Sequence, residues 1–205
     1  MNIGDGATNV IAVNTVFDSN RRQGVSVKKV SGLHFKNSIF SNTAGQNPQA
    51  GVDIEGNSPG DSSGDITFQQ SKFLNNAGAG LMIDQHGSNL NGLLVEECEF
   101  TGTRGIEVKG RKDGVAAVFT QIMIRNSTIK GNSILGGSGR MGGGGKHVNT
   151  TMDGNIAGGR ILITKAAAGS SFRITNNNLP NGDASIVLRD NEPDITVTRT
   201  GNRQD

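Results

Sequence analysis

Hydrophobic residues recur along the chain in one fixed spacing: an apolar residue, a second two positions later, and a third five positions after that. The pattern occurs six times without internal gaps, at Val10/Ala12/Phe17, Leu33/Phe35/Phe40, Ile66/Phe68/Phe73, Leu93/Val95/Phe100, Ile122/Ile124/Ile129 and Phe172/Ile174/Leu179. The third members are 23, 33, 27, 29 and 50 residues apart. The last interval corresponds to two turns of about 25 residues each, a period typical of solenoids.

A second element lies between these triplets, in which a glycine is followed by alternating apolar residues. It occurs at Gly24–Val27, Gly51–Ile54, Gly80–Ile83 and Gly105–Val108, and the pairs Ile161/Ile163 and Ile186/Leu188 continue it less regularly. Alternation with a period of two predicts β-strands. Each repeat is therefore expected to supply two or three short strands joined by loops of variable length.

Strands this short cannot bury a core alone, so each repeat must stack on the next. The sequence therefore predicts an all-β fold, a right-handed parallel β-helix of about seven coils. We expect residues 1–205 to form one β-helix domain, compatible with a piece of a larger protein. The glycine-rich segment 136–159 breaks the pattern and is expected to be an irregular coil or a loop.

Two further sets of residues, each at the same position in successive coils, support this alignment of the repeats. Polar residues lie three positions before the last apolar member of each triplet, as a ladder at a corner: Asn14, Asn37, Gln70, Glu97, Asn126 and Asn176. Small residues lie one position later: Thr15, Ser38, Ser71, Cys98, Ser127 and Asn177. Cys98 thus takes a position that serine occupies in other coils, and we expect it to be a packing residue.

Composition narrows the function classes. The chain has 31 Gly, no Trp, no Tyr, one Cys and a formal net charge of +2. The balanced charge and scarce aromatic residues argue against nucleic acid as a partner. No apolar run approaches membrane-spanning length, and the polar start MNIGDGATN shows no signal peptide. The single cysteine gives neither a disulfide framework nor metal-ligand spacing.

Charged residues cluster on one outward face when the glycine-led strands are placed in register. The three outward columns are Ser26, Asp53, Met82 and Glu107; Lys28, Glu55, Asp84, Lys109 and Thr164; and Asn57, His86 and Arg111. Arg21 and Arg22 enter the same sheet one coil before Asp53. Of the three histidines, His86 is the candidate for the site, because Asp84 precedes it by two, whereas His34 and His147 are expected to lie on the surface.

The patch is compatible with acid–base chemistry, and Asp53, Glu55 and Asp84 are the catalytic candidates. Glu55 and Asp84 on adjacent coils would be about 5 Å apart, as in retaining glycosidases, and Asp53 and Glu107 about 9–10 Å apart, near the inverting range. The candidates for substrate binding are His86, Glu107, Lys109, Arg111, Arg21 and Arg22. A lyase would instead use His86 or Lys109 as a base with Arg111 beside a uronate.

A structural interpretation competes with these schemes. Alternating charges such as Lys28 against Glu55, or Asp84 against Lys109, also form a surface ladder that stabilises a sheet by a few tenths of a kcal/mol per pair.

The coils over residues 10–198 and the run NRRQGVSVKKVSGLHFKNSIFSNTAGQNPQAGVDIE, residues 20–55, resemble the right-handed parallel β-helix superfamily, which is pectate-lyase-like. The run is most similar to bacteriophage tailspikes and β-helix repeat polysaccharide depolymerases. The resemblance implies a glycosidase or lyase acting on a bacterial surface or acidic polysaccharide, or alternatively a noncatalytic glycan-binding or structural module. It also implies an extracellular or virion-surface location and a homotrimer.

The match to individual members of the superfamily is partial. RGIEVKGRK, residues 104–112, is similar to the Arg-Ile-Lys strand of polygalacturonases, but their Asp-Asp pair is absent and IDQHGS keeps only half of their Gly-His-Gly turn. The calcium-binding acids of pectate lyases are not clearly reproduced. No cofactor is expected, although the oxygens of Asp53, Glu55 and Asp84 are of the kind that bind calcium.

Overall fold

The computed structural model describes residues 1–4, 6–112, 115–136 and 145–204. Over these residues the chain winds through three parallel sheets, which we name A, B and C, and the strands are numbered in chain order. A short 3-10 helix spans Gly182–Ser185. No helix in the described part of the chain is long and apolar enough to cross a membrane.

Sheet A contains β1 (Asn2–Ile3), β4 (Gln23–Val27), β7 (Ala50–Gly56), β10 (Ala79–Gln85), β13 (Arg104–Lys112), β17 (Asn132–Gly136), β21 (Ile161–Thr164) and β24 (Ile186–Arg189), with β14 (Val115–Ala116) paired antiparallel to β13. Sheet B contains β2 (Thr8–Val13), β5 (Ser31–Lys36), β8 (Ser62–Gln69), β11 (Asn89–Glu96), β15 (Val118–Arg125), β19 (Thr150–Asp153), β22 (Ser171–Thr175) and β25 (Thr196–Thr200), with β18 (Lys146–Val148) paired to β15. Sheet C contains β3 (Val16–Asp18), β6 (Ile39–Ser41), β9 (Lys72–Leu74), β12 (Glu99–Phe100), β16 (Thr128–Ile129), β20 (Ile156–Ala157), β23 (Asn178–Leu179) and β26 (Arg203–Gln204).

Successive coils contribute one strand to each sheet in the same order. Among the described residues, the main path of each sheet has eight strands, so seven coil-to-coil steps separate the first layer from the last. This confirms the expected all-β parallel β-helix of about seven coils.

The apolar triplets form the core between the sheets. Leu33, Ile66 and Leu93 align in sheet B, as their spacing predicts. Below them, Phe40 stacks on Phe73 with ring centroids 4.9 Å apart, and Phe73 stacks on Phe100 at 4.4 Å. Offset aromatic stacking adds to the area that these rings bury.

The glycine at the second position of β4, β7, β10 and β13 is required by the close approach of neighbouring coils. A Cβ on Gly51 would lie 2.7 Å from the carbonyl oxygen of Gly80, and a Cβ on Gly24 would lie 2.6 Å from that of Gly51. Real Cβ atoms do not come this close to backbone. The glycine column in the sequence therefore marks the position where the coils pack most tightly.

The corner column turns the chain from sheet B into sheet C. Its members adopt positive φ angles of about 50°, for example 49° at Asn37 and 53° at Glu97. Side-chain hydrogen bonds link some of them between coils: Asn37 Nδ2 donates to Asn14 Oδ1 over 2.6 Å, and Gln70 Nε2 donates to Glu97 Oε2 over 2.9 Å. The expected polar ladder is therefore present.

The adjacent small residues accept backbone hydrogen bonds between coils. Ser38 N–H donates to Ser71 Oγ over 3.1 Å, and Cys98 N–H donates to Ser127 Oγ over 3.1 Å. Cys98 is buried in this column, and burial raises the pKa of its thiol to about 11. Its environment is that of a packing residue.

The glycine-rich segment contains a regular coil in its described part. Thr150, Met152 and Ala157 lie at the three positions of an apolar triplet, which confirms the division of the 50-residue interval into two turns. Threonine and alanine replace larger apolar residues in this triplet, so its sequence pattern is weak. Residues 137–144 of the segment lie outside the described residues.

The surface prediction for His147 is wrong. Its side chain is fully buried, with its ring 4.7 Å from the rings of both Phe119 and Phe172, and Nδ1 lies 2.9 Å from Thr150 Oγ1. His34 is exposed, as expected.

Candidate functional site: an acidic groove on sheet A

The register of sheet A brings the predicted acids together. Asp53 and Glu55 lie on β7, and their partners on β10 are Met82 and Asp84. Glu107 and Lys109 on β13 are in turn the partners of Met82 and Asp84. The first two predicted columns across these three strands are therefore confirmed.

These strands form the floor of a groove of about 760 Å³ that opens on the outer face of sheet A. Asn47 and Pro48, from the loop before β7, form part of its rim. The residues that line it are Arg22, Lys28, Asn47, Pro48, Asp53, Glu55, Asn57, Met82, Asp84, His86, Arg104 and Lys109.

Asp53 is the most buried acid of the groove, with only 2% of its surface exposed. Burial, a hydrogen bond to Glu55 and the charges of Glu55 and Asp84 raise the pKa of Asp53 to about 8. Its Oδ1 has no hydrogen-bond partner among the described residues. At neutral pH, Asp53 is therefore predominantly protonated.

Glu55 is the ionised partner of Asp53. Burial favours its neutral form, but the hydrogen bond from Asp53 and the positive charges of Lys28 and Arg22 outweigh burial and lower its pKa. Lys28 Nζ lies 3.1 Å from Glu55 Oε2, and Arg22 Nη2 lies 3.4 Å from Glu55 Oε1. The two carboxyls on β7 thus take opposite protonation states.

Asp84 lies at the centre of the groove and is about one-third exposed. Its Oδ1 is 3.2 Å from His86 Nε2. Burial raises the pKa of Asp84 with help from Glu107 and Glu55, while His86 and Lys109 oppose the rise. This carboxyl combines access from the groove with a nearby imidazole.

Glu107 is buried beneath the wall of the groove and is neutralised by two cations. Arg104 Nη1 donates to Glu107 Oε2 over 2.7 Å, and Lys109 Nζ lies 3.2 Å from Glu107 Oε1. Because it is 3% exposed and engaged on both oxygens, Glu107 positions Arg104 and Lys109. This arrangement does not support the predicted direct contact between Glu107 and substrate.

Of the predicted binding residues, Arg21 is not brought into the groove, and the side chain of Arg111 is not described. Arg21 is exposed and lies beside Gly45, away from the groove lining, whereas Arg22 lines it. Arg111 lies where β13 pairs antiparallel with Ala116 of β14 instead of continuing in the parallel sheet. The side chain of Arg111 lies outside the described residues, so its binding role stays a prediction.

Sequence patterns missed Arg104 and the apolar surface beside Asp53. Strict alternation from Glu107 would point Arg104 inward, but the pairing of β13 with β17 is irregular between Arg104 and Ile106. Met82 packs with Ala50 and Ala79 in a small apolar cluster separate from the main core. The alanine directly before the glycine of β7 and of β10, Ala50 and Ala79, is the signal that could have revealed this cluster.

Calcium binding by the acids is not supported by their arrangement. Within the described ranges, no group of three or more His, Cys, Asp or Glu side chains is placed to hold a metal ion. Asp53 and Glu55 share a hydrogen bond, and Glu55 is neutralised by Lys28 and Arg22. These contacts engage both oxygens of Glu55, which are then not free to bind a cation.

The protein is thus a parallel β-helix with a charged groove on the outer face of sheet A. Residues 60–203 match the model of a family described as the right handed beta helix region, and the chain belongs to this family. No curated protein and no solved structure matches the chain. The family fixes the architecture and is compatible with proteins that act on or bind polysaccharides.

Proposed function

We propose that the protein hydrolyses an acidic polysaccharide bound along the groove of sheet A. The observation that carries the proposal is a protonated carboxyl, Asp53, beside the ionised Glu55 on the same strand and near the groove-facing Asp84 on the adjacent coil. Glycoside hydrolysis requires one carboxylic acid to protonate the leaving oxygen and one carboxylate to act as base or nucleophile.

Asp53 is the proposed general acid. Its pKa of about 8 keeps it protonated at neutral pH, with Glu55 as its hydrogen-bond partner before substrate binds. Since a general acid works best with a pKa near the operating pH, this value suits the role.

Asp84 is the proposed general base. Adjacent strands are about 4.8 Å apart and two residues advance about 6.6 Å along a strand, so Asp53 and Asp84 are about 8 Å apart on the sheet. That spacing leaves room for a water molecule, as in inverting glycosidases. The sequence also suggested Glu107 as the partner of Asp53 in an inverting pair. We exclude Glu107 from this role because Arg104 and Lys109 occupy both its oxygens.

The basic side chains of the groove favour an anionic polymer. Of the described residues in its lining, Arg22, Lys28, Arg104 and Lys109 are basic. Arginine binds carboxylates and sulfates through paired donors, and lysine supplies a point charge. Polymers of this kind cover bacterial surfaces, so an extracellular or virion-surface location belongs to the proposal.

The test is a cleavage assay on bacterial capsular and other acidic polysaccharides with wild type, Asp53→Asn and Asp84→Asn. We expect new reducing ends without the ultraviolet absorbance of an unsaturated product, and a loss of at least about 100-fold in each variant. Asp18→Asn, on the exposed surface of sheet C, is the matched control and should keep full activity. Full cleavage by folded Asp53→Asn would contradict the assignment, and unsaturated products would indicate a lyase.

A noncatalytic glycan-binding module is the second candidate. The ion pairs of Glu55 and Glu107 with neighbouring cations favour it, because they make part of the patch a self-neutralised charge ladder. Binding without cleavage across the same panel, unchanged in Asp84→Asn, would support this function over hydrolysis.

The homotrimer implied by the tailspike resemblance is also part of the proposal. The molar mass from light scattering tests it directly, since a monomer mass at micromolar concentration would contradict it.

A further inference from the structure

We propose that the groove selects for the spacing of charge along the polymer: an anionic sugar at each end and a neutral sugar in the centre. This inference rests on the proposed function and specifies its substrate.

The charges follow a symmetric order along the helix axis. Lys28, Glu55, Asp84 and Lys109 lie on four consecutive coils, giving one positive, two negative and one positive group. Three coil steps of about 4.8 Å separate the two lysines, a span of about 14 Å. This is roughly the length of a trisaccharide lying along the axis.

Each end of the groove repeats one arrangement, in which a glutamate holds an arginine and a lysine. Glu55 holds Arg22 and Lys28, and Glu107 holds Arg104 and Lys109. The glutamate side chains are 13% and 4% exposed, whereas those of the four cations are 22–54% exposed. The cations are therefore held in place by the buried glutamates and remain exposed to solvent, so they are available to bind anionic groups.

The centre of the groove has the opposite character. Glu55 and Asp84 lie beside the protonated Asp53 there, so a sugar carboxylate or sulfate placed in the centre would face carboxylate groups of like charge in a partly buried site. Met82, an uncharged side chain that is 3% exposed, lies between them in the groove lining. A neutral sugar fits this position, and an anionic one is repelled.

The experiment measures binding to polymers of equal length by calorimetry, using Asp53→Asn to prevent cleavage. Hyaluronan carries an acidic sugar at every second position, polygalacturonate at every position, and dextran at none. We expect hyaluronan to bind at least about tenfold more tightly than polygalacturonate, although polygalacturonate has more charge and would bind better by nonspecific attraction. Chondroitin with and without sulfate distinguishes sulfate from carboxylate as the anionic group.

Removal of one cation at each end tests the two-ended arrangement. Lys28→Met and Lys109→Met are each expected to weaken hyaluronan binding about tenfold, and the double variant about 100-fold, because the sites are too far apart to couple. Lys72→Met, an exposed lysine on sheet C, is the control and should leave binding unchanged.

The outcomes separate this inference from the proposed function. If polygalacturonate binds as tightly as hyaluronan and wild type cleaves it, the charge-spacing inference is wrong while the hydrolase proposal stands. If none of the acidic polymers binds, both are overturned.

Discussion

Asp53 and Glu55 lie two residues apart on the outward face of β7 and share one hydrogen bond, with the proton on Asp53. The different surroundings of the two acids decide which one keeps the proton. Asp53 is enclosed beside Met82, whereas Glu55 faces Lys28 and Arg22. The segment Asp53-Ile54-Glu55 thus contains one protonated and one ionised carboxyl.

This pair predicts a pH dependence of stability. The folded-state pKa of Asp53 is about 8, and its ordinary value is 3.8. Between these pH values the folded chain holds a proton that the unfolded chain has released, so this group lowers the free energy of unfolding as pH rises. Its contribution is fully present below pH 4 and declines by up to about 1.4 kcal/mol per pH unit until about pH 8.

Asp53→Asn should remove that decline, because an amide is neutral at every pH and can still donate a hydrogen bond to Glu55. Urea unfolding of wild type and variant from pH 4.5 to 8.5 measures the difference in slope. The variant should be the more stable protein at pH 8 and the less active one. Parallel stability profiles would show that Asp53 is already ionised in the folded protein.

Much of the groove was predictable because a β-helix repeats its register. Once Gly51 and Gly80 are aligned, Glu55 must lie beside Asp84, and the structure has them paired. The sequence could not predict the protonation states, since these depend on how deeply each carboxyl is buried. Nor could it predict the role of Arg104, which depends on an irregular start of β13.

The buried histidine gives a second prediction. His147→Ala should lower the free energy of unfolding by about 2–4 kcal/mol, because it leaves a cavity between Phe119 and Phe172 and removes the contact with Thr150. His34→Ala, the same substitution at an exposed site on β5, should change stability by less than about 0.5 kcal/mol. Equal effects in urea unfolding would contradict the burial of His147.

His147 was misplaced for a physical reason. The surface prediction rests on the glycine-rich segment around His147 and on the lack of acidic neighbours. Burial is instead set by β18, which pairs with β15 and places His147 beside Phe119. A histidine fills the space that a phenylalanine or leucine fills in other coils. The sequence around His147 contains no pattern that predicts this burial.

Glu107→Gln tests whether the buried glutamate at the far end of the groove holds its two cations. The substitution keeps the shape of the side chain but removes the negative charge that Arg104 and Lys109 share. Because Glu107 is 3% exposed, we expect a loss of about 1–3 kcal/mol in the free energy of unfolding.

The matched control is Glu99→Gln, whose ion pair with Lys72 is 3.4 Å long and lies on the exposed face of sheet C. A solvated pair of this kind contributes less than about 1 kcal/mol, so Glu99→Gln should have little effect. Urea unfolding at neutral pH compares the two variants, and repetition at high salt should reduce only the small effect of Glu99→Gln. If Glu107→Gln lowers the free energy of unfolding no more than Glu99→Gln, Arg104 and Lys109 do not depend on Glu107 for their positions. Glu107 would then again be a candidate for substrate binding.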